Sequence, residues 1–149
     1  MTIRRTRAAD RDMLAALAFR SKAHWGYDDA FMERSRDVLT PSDDYLANDP
    51  VYVAEDDAGT VVGFYGFVRE VRELWLNDLW VEPDAIGSGA GRALFAHAVE
   101  TARAACEAAF FIESDPNAEG FYLAMGAARA GERVAAGSGR VLPVLRYDL

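Results

Sequence analysis

The chain has 149 residues, of which 51% are hydrophobic, and its 24 acidic and 16 basic side chains give a formal net charge of −8. This length predicts one domain over residues 1–149 that is large enough to bury its own core. The negative charge opposes binding to nucleic acid or to an anionic membrane surface, whereas it attracts a cationic ligand.

The composition also indicates a cellular compartment. A single cysteine excludes an internal disulfide and a cysteine-based metal cluster. The sequence has no apolar run long enough to span a bilayer, and its first residues lack the apolar segment of a secretory signal. We therefore expect a cytoplasmic protein.

The first third of the chain predicts an edge strand followed by helices. Residues 2–7 alternate apolar and polar side chains, as a half-exposed strand does. Asp10 is a candidate N-cap for a helix that Gly26 ends. A second helix is expected over about residues 28–38, and residues 40–43 have the composition of a further helix start.

The middle of the chain predicts a hairpin and a central strand. Residues 51–55 and 60–69 favour two strands joined by a turn. Gly63 and Gly66 in the second of these indicate a bulge or a close approach of another group. Residues 70–81 are apolar on both faces, which is typical of a strand in the middle of a sheet.

The last part of the chain predicts two helices and three strands. A helix with one apolar stripe follows residue 90, and residues 108–112 form a short buried strand. Asp115 and Pro116 favour the start of a second helix. The strands expected over residues 127–134 and 141–149 are joined by a flexible connection over residues 135–139.

A loop rich in glycine lies between the central strand and the helix that follows it. Gly87, Gly89 and Gly91 occupy every second position of this loop. Glycine permits positive φ and leaves no Cβ in the way, so successive N–H groups can turn towards one bound anion. The helix adds the positive end of its dipole. The sequence therefore predicts a phosphate site.

Two well-known phosphate loops fit these residues poorly. A Walker-type loop requires lysine followed by serine or threonine at the helix start, where this chain has Arg92 and Ala93. A dinucleotide loop requires a tight turn directly after the strand, whereas five residues separate Val81 from Gly87. An enzyme that uses ATP or NAD is thus a weaker alternative.

A resemblance to a known family rests on two segments. Residues 81–94, Val-Glu-Pro-Asp-Ala-Ile-Gly-Ser-Gly-Ala-Gly-Arg-Ala-Leu, resemble the acyl-CoA-binding motif of the GNAT superfamily of N-acetyltransferases. Residues 115–127, Asp-Pro-Asn-Ala-Glu-Gly-Phe-Tyr-Leu-Ala-Met-Gly-Ala, are similar to the second motif of the same family. The two motifs stand in the order and at the spacing of the family.

The resemblance implies a fold and a reaction. The fold is a mixed α/β (α+β) domain with a mostly antiparallel central sheet of about seven strands, flanked by about four helices. The reaction is transfer of an acetyl group from acetyl-CoA to a primary amine of a small molecule or peptide by direct attack, without metal or covalent intermediate. The frequent dimers of the family make the C-terminal strands a candidate homodimer interface.

The resemblance also assigns cofactor-binding residues. The backbone of Leu79 and Val81 would hold the pantetheine arm, and an N–H group near Leu79 or Trp80 would stabilise the thioester oxygen. Asn117 would bind pantetheine or order its loop. The residues that would hold the pyrophosphate are Gly87, Ser88, Gly89, Ala90, Gly91 and Arg92. Ile86 replaces the arginine or glutamine that the family has before the first glycine.

Catalytic and acceptor-binding residues follow in the same way. Tyr122 is the expected general acid for the leaving thiolate, and Glu73 is the first candidate for the base that deprotonates the amine. Asp78 is the second candidate. Simple alternation puts it on the opposite face of the sheet from Glu73, unless a bulge lies between them. The residues expected to form a wall of the acceptor pocket are His24, Trp25 and Tyr27.

Two rival functions are left open by the sequence. One is a binding module that holds a CoA ester but has lost turnover, which the absence of a basic side chain at Ile86 permits. The other is the nucleotide-dependent enzyme named above. The identity of the amine is also open, among polyamines, aminoglycosides, amino acids, peptide N-termini and protein lysines.

Overall fold

The computed structural model describes residues 1–135 and 138–149, so part of the connection predicted over residues 135–139 lies outside the described residues. The strands are β1 (Thr2–Arg5), β2 (Val51–Glu55), β3 (Val61–Glu70), β4 (Glu73–Val81), β5 (Ala109–Glu113), β6 (Ala128–Val134) and β7 (Val141–Asp148). The α-helices are α1 (Arg11–Ala23), α2 (Asp29–Leu39), α3 (Asp43–Asn48), α4 (Ala90–Ala104) and α5 (Glu119–Ala124).

The strands form one sheet in the order β1-β2-β3-β4-β5-β7-β6, with β4 at its centre. Only the β4–β5 pair is parallel among the described strands, and the other neighbours are antiparallel. The predicted seven-stranded, mostly antiparallel α/β fold is therefore confirmed. The described residues hold five α-helices, in agreement with the five helix starts predicted from the sequence and with the about four helices that the family resemblance implied.

Helices cover both faces of the sheet. On one face α4 and α5 bury Leu94, Phe95 and Tyr122 against the strands. On the other face α1 and α2 bury Leu14 and Met32. None of the helices over residues 1–135 and 138–149 is long and apolar enough to cross a membrane.

A β-bulge in β4 decides which side chains share a face. Phe67 pairs with Leu76 and Gly66 pairs with Asp78, so Asn77 is an extra residue between the two pairs. One inserted residue reverses the alternation of the strand. Glu73 and Asp78 consequently lie on the same face of the sheet, which simple alternation would not predict.

The glycines of β3 make room for neighbouring groups, as their positions in the sequence indicated. A Cβ at Gly66 would lie 1.9 Å from the hydroxyl oxygen of Tyr45, which packs flat against this point of the strand. The same hydroxyl donates a hydrogen bond of 2.8 Å to Asp78 Oδ2. The β3–β4 register shift also falls at Gly66, so bulge and close approach occur together.

The ladder between β4 and β5 is short. It contains the pairs Trp75 with Phe111 and Leu76 with Ile112, whereas β4 continues to Val81. Beyond Leu76 the edge of β4 that faces β5 has no strand partner among the described residues. This gap in the middle of the sheet is where the glycine loop and α5 converge.

Candidate active site

A cavity of about 470 Å³ occupies the gap between β4 and β5. Residues from β4, the glycine loop, the segment after β5, α5 and α1 all reach it. The residues predicted for the cofactor that line this cavity are Leu79, Trp80, Val81, Ile86, Gly87, Gly89, Gly91, Arg92, Asn117 and Tyr122. The fold thus brings most of the predicted cofactor site together, although its two motifs lie far apart in the chain.

The edge of β4 presents backbone groups to this cavity. The N–H of Glu82 donates to the carbonyl of Val62 on β3, at 2.8 Å. Because hydrogen-bonded residues alternate along an antiparallel pair, Trp80 also faces β3, and Leu79 and Val81 turn their N–H and C=O groups to the gap. An extended ligand could pair with these groups as a strand would.

The glycine loop supplies donors in the next part of the cavity. Gly87 and Gly89 have φ angles of 85° and 94°, a region in which side chains are strained. The N–H groups of Gly87, Gly89, Gly91 and Arg92 donate to no other group in residues 1–135 and 138–149. They stand at the N-terminus of α4, where the helix dipole favours an anion.

Two predicted loop residues have a different place. Ser88 donates its N–H to the carbonyl of Ala85 at 3.0 Å, and its side-chain oxygen accepts the N–H of Ala90 at 3.3 Å. Ala90 itself is fully buried. Ser88 and Ala90 therefore brace the loop from within and do not line the cavity. Ile86 lines the cavity and is 51% exposed, and its side chain carries no charge.

Tyr122 lies on α5 and is 6% exposed, with its side chain at the wall of the cavity. Its ring packs against those of Phe95 and Phe121, with centroids 6.1 and 5.3 Å away. Burial raises the pKa of the Tyr122 phenol, and the negative charges of Asp78 and Asp115 raise it further. The phenol accordingly keeps its proton at neutral pH and is a donor towards the cavity.

The acidic residues Asp115 and Glu113 line the cavity, and the carboxylate of Asp115 lies near enough to Tyr122 to raise the pKa of its phenol. The Asp115 carboxylate accepts hydrogen bonds from the Tyr27 hydroxyl at 2.7 Å and from the backbone N–H of Asn117 at 2.9 Å. The Lys22 ammonium lies 4.0 Å from its Oδ2. The predicted capping role of Asp115 is present, since the Asn117 N–H belongs to the short 3₁₀ helix Pro116–Ala118, yet the sequence did not indicate its place in the site.

Glu73 lies outside the cavity, so the structure does not support the base predicted there. It is exposed at the start of β4, paired with Glu70 across the hairpin turn. The β4–β5 ladder at Trp75 and Leu76 stands between Glu73 and the gap.

Asp78 is half-buried behind the cavity wall, and its carboxylate accepts from Tyr45 and from Trp80 Nε1, each at 2.8 Å. Burial raises the pKa of the Asp78 carboxyl.

The three residues predicted for the acceptor wall separate in the structure. Trp25 lines the cavity and is 43% exposed. His24 is exposed beside it, with ring centroids 5.4 Å apart, and does not line the cavity. Tyr27 stands behind Asp115, where Asn117 Nδ2 also lies 3.2 Å from its hydroxyl. Ser21 and Asn77, which sequence reasoning missed, line the cavity as well.

These features define a class of protein: an α/β enzyme fold with a split sheet, an anion loop at a helix N-terminus and a proton donor across the gap. Residues 47–126 match the family described as Acetyltransferase (GNAT) domain, more than half of the chain. The chain belongs to this GNAT acetyltransferase family. Membership confirms the predicted family, the acyltransferase class and the use of acetyl-CoA, and it sets aside the nucleotide-dependent alternative.

Solved structures support the fold. A GCN5-related N-acetyltransferase from Rhodopseudomonas palustris is 18% identical, with a TM-score of 0.83 over 99% of this chain and 95% of that chain. The PaiA N-acetyltransferase from Thermoplasma acidophilum, in complex with coenzyme A, is 17% identical, with a TM-score of 0.78 over 99% and 98%. The putative acetyltransferase yncA from Salmonella typhimurium, with acetyl-CoA, is 22% identical, with a TM-score of 0.70 over 100% and 94%. No curated protein sequence matches the chain.

Proposed function

We propose that the protein transfers an acetyl group from acetyl-CoA to a primary amine of a small molecule or peptide by direct attack. The observation that carries the proposal is the convergence, in one cavity, of four free backbone N–H groups, an unpaired strand edge and the protonated Tyr122. All seven strands belong to one sheet, which supports a single functional domain over residues 1–149.

The residues of the gap fit the chemistry of the cofactor. The N–H groups of Gly87, Gly89 and Gly91 would hold the pyrophosphate, together with the side chain of Arg92. The backbone groups of Leu79 and Val81 would hold the pantetheine arm, and Asn117 lies across the gap from them. The solved Thermoplasma and Salmonella relatives, which carry coenzyme A and acetyl-CoA, support this assignment. When bound, the cofactor supplies an activated acetyl thioester.

Tyr122 is the proposed general acid. The thiolate that leaves acetyl-CoA carries a negative charge, which a proton or a hydrogen bond stabilises. Burial and two nearby carboxylates keep the proton on the Tyr122 oxygen, so this oxygen can deliver a proton into the gap. Backbone N–H groups of β4 at Leu79 face the same space and would stabilise negative charge on the reacting carbonyl oxygen.

Asp115 takes the place of Glu73 as the proposed base. An alkyl ammonium cannot attack, so the acceptor must lose a proton to a carboxylate directly or through water. Asp115 lines the cavity and lies close enough to Tyr122 to raise the pKa of its phenol. Its hydrogen bonds from Tyr27 and Asn117 fix the carboxylate in position. Trp25 and Ser21 would form the outer wall of the acceptor site.

A catalytically weak binding module is the second candidate. The observation that favours it is Ile86, which leaves the start of the glycine loop without the positive charge that an arginine would bring. Thermal shift measures the cofactor alone, because a ligand that binds only the folded state raises Tm. We expect a shift with acetyl-CoA and none with ATP or NAD; absence of a shift with any CoA ester would refute both candidates.

Turnover separates the two candidates. We expect release of free thiol from acetyl-CoA with at least one member of an amine panel. The variant Tyr122→Phe should lower kcat by about 10²-fold, the usual contribution of a positioned acid, and leave the KM for acetyl-CoA nearly unchanged. Asp115→Asn should lower kcat at neutral pH, with the defect partly relieved at high pH, where more of the amine is unprotonated.

Glu73→Gln is the matched control, since it also neutralises one carboxylate, but at the start of β4 and outside the cavity. It should retain the kinetics of the unmodified protein. A loss of kcat in Glu73→Gln with none in Asp115→Asn would return the base to Glu73. Unchanged rates in Tyr122→Phe would remove the proposed acid, and no thiol release with any amine would leave the binding module.

A further inference from the structure

A second cavity, of about 240 Å³, lies between α1, α2 and the segment that leads into β7. Three cationic side chains line it: Lys22, Arg34 and Arg140. Their charged ends surround the ring of Phe31. The distances to the ring centroid are 5.5 Å from Lys22 Nζ, 6.0 Å from Arg34 Cζ and 4.8 Å from Arg140 Cζ. Three positive charges thus converge on one small space in a chain whose net charge is −8.

Among the described residues, the carboxylates near this cavity pair with Lys22 or with Arg133, and not with the two arginines that line it. Glu113 lines the cavity, but its carboxylate accepts from Arg133, outside the cluster. Asp115 lies near Lys22, at 4.0 Å. Within residues 1–135 and 138–149, neither Arg34 nor Arg140 has a carboxylate within ion-pair distance.

Arg140 is the most exceptional of the three. Its Nε is buried and has no hydrogen-bond partner among the described residues. A buried charged donor without an acceptor is costly, and native structures rarely leave one in that state without a functional reason. Burial lowers the pKa of the Lys22 ammonium; the Asp115 carboxylate opposes this shift, and the nearby charge of Arg140 adds to it. The cluster is therefore set up for an anion.

The second cavity adjoins the proposed acetyl-transfer site. Glu113 lines both cavities. The Tyr27 hydroxyl accepts from Arg140 at 3.1 Å and donates to Asp115 at 2.7 Å, so it links the cationic cluster to the proposed base. Tyr27 lines neither cavity, and its hydroxyl lies between Asp115 and Arg140, so an acceptor whose amine is at Asp115 would reach the three cations past this side chain.

We propose that Lys22, Arg34 and Arg140 bind the carboxylate of the acceptor, so that the substrate is an amino acid or peptide with a free carboxylate in addition to its amine. This inference rests on the proposed acetyl transfer. Guanidinium groups suit a carboxylate because they donate two parallel hydrogen bonds to it, and lysine adds a point charge. The same cations repel polyamines and aminoglycosides, which bear only positive charge.

Matched pairs of acceptors test the charge requirement. Each pair consists of an amino acid and its decarboxylated amine, with lysine and 1,5-diaminopentane, ornithine and 1,4-diaminobutane, and alanine and ethylamine as examples. A dipeptide and its C-terminal amide form a further pair, which distinguishes a peptide carboxylate from that of a free amino acid. We expect kcat/KM to be at least about tenfold higher for the carboxylated member of the best pair, the effect of one charge-assisted contact. Equal or better use of the decarboxylated member in every pair would overturn the inference.

Binding without chemistry separates this inference from the proposed function. Calorimetric titration of the carboxylated acceptors into the protein saturated with coenzyme A involves no acetyl group. Binding of a carboxylated acceptor, with none of its decarboxylated partner, supports the anion site even if no amine is turned over. Turnover with no preference for the carboxylate refutes the anion site and leaves acetyl transfer standing.

Variants locate the effect. Arg34→Gln and Arg140→Gln should each raise the KM for the carboxylated acceptor about tenfold and leave the KM for its decarboxylated partner unchanged. Arg36→Gln is the matched control on α2, because the Arg36 guanidinium pairs with Glu33 and stacks over Phe19, 4.3 Å from the ring centroid. It should change neither constant. If Arg34→Gln and Arg140→Gln impair both acceptors equally, the two side chains have a structural role only and the inference fails.

Discussion

Replacement of Gly66 by alanine tests the packing that holds Asp78 behind the active site. The new methyl carbon would lie 1.9 Å from Tyr45 Oη and 2.7 Å from Tyr45 Cζ, whereas an ordinary contact begins at 3.4 Å. The tyrosine ring must therefore retreat by about 1.5 Å, the difference between 3.4 and 1.9 Å. That movement breaks the 2.8 Å hydrogen bond to Asp78.

The cost has two parts. Overpacking of a buried site costs about 1–3 kcal/mol, and loss of a hydrogen bond to a charged group costs about 1.5–3 kcal/mol. Alanine recovers about 0.5–1 kcal/mol, because glycine loses more backbone entropy on folding. We expect Gly66→Ala to reduce the free energy of unfolding by about 2–4 kcal/mol, a large fraction of the total stability of a domain.

Urea denaturation followed by tryptophan fluorescence measures this change. Trp80 donates to Asp78, so its emission reports on the perturbed region as well as on unfolding. Gly120→Ala is the control, since a Cβ at Gly120 meets no atom within 4 Å, and alanine should stabilise α5 by up to about 1 kcal/mol. If Gly66→Ala lowers the free energy of unfolding by less than about 1 kcal/mol, with an unchanged m-value, the Tyr45 ring is not held rigidly against Gly66 and the prediction is wrong.

Two further predictions concern the cofactor and the pH dependence of folding. Ile86→Arg should lower the Kd for coenzyme A by about five- to tenfold in calorimetry at low ionic strength, because Ile86 lines the cavity at the glycine loop. The gain in affinity should shrink as salt is added, whereas Ile86→Gln, which adds no charge, should show no salt-dependent gain. Equal affinities for all three proteins would contradict the prediction. Asp10 accepts from Arg4 at 2.9 and 3.2 Å, and this bond, opposed by burial, holds the pKa of the Asp10 carboxyl below its usual value. The resulting stability is present above the unfolded pKa of about 3.9 and is lost as the pH falls through the lower folded pKa. Asp10→Asn should therefore be less stable at pH 7, and urea midpoints of the two proteins should converge below about pH 4; parallel curves would show that Asp10 is not the titrating group.

Local signals were sufficient for much of the fold. The apolar character of residues 70–81 on both faces placed this strand at the centre of the sheet, and β4 is the fourth of seven strands. The glycine loop and the Asp-Pro start of the second motif are short, contiguous patterns whose backbone chemistry does not depend on distant residues. For this reason the two motifs predict Gly87, Gly89 and Tyr122 as site residues, and all three line the cavity between β4 and β5.

The catalytic base and the residues around the acceptor are harder to predict from the sequence. Alternation along β4 failed at Asn77, because an inserted residue leaves no trace in composition. The importance of Asp115 depends on contacts with Lys22 and Tyr27, and the Tyr27 partner is 88 residues away in the chain. Arg140 lies 113 residues from Tyr27, in a region that the sequence indicated only as a connection before the last strand. Such clusters arise from tertiary packing, which a single sequence does not display.

Because the β4–β5 ladder is short, part of the edge of β4 is unpaired among the described residues, and this bears on self-association of the protein. An unpaired strand edge in the middle of a sheet is normally a site where another polypeptide adds itself, and this leads to aggregation. Here the edge at Leu79 and Val81 lies inside a cavity whose other walls include Trp25, just after α1, and Phe121 of α5. These walls cover the unpaired edge, which protects it from edge-to-edge association while it stays accessible to a ligand in the cavity.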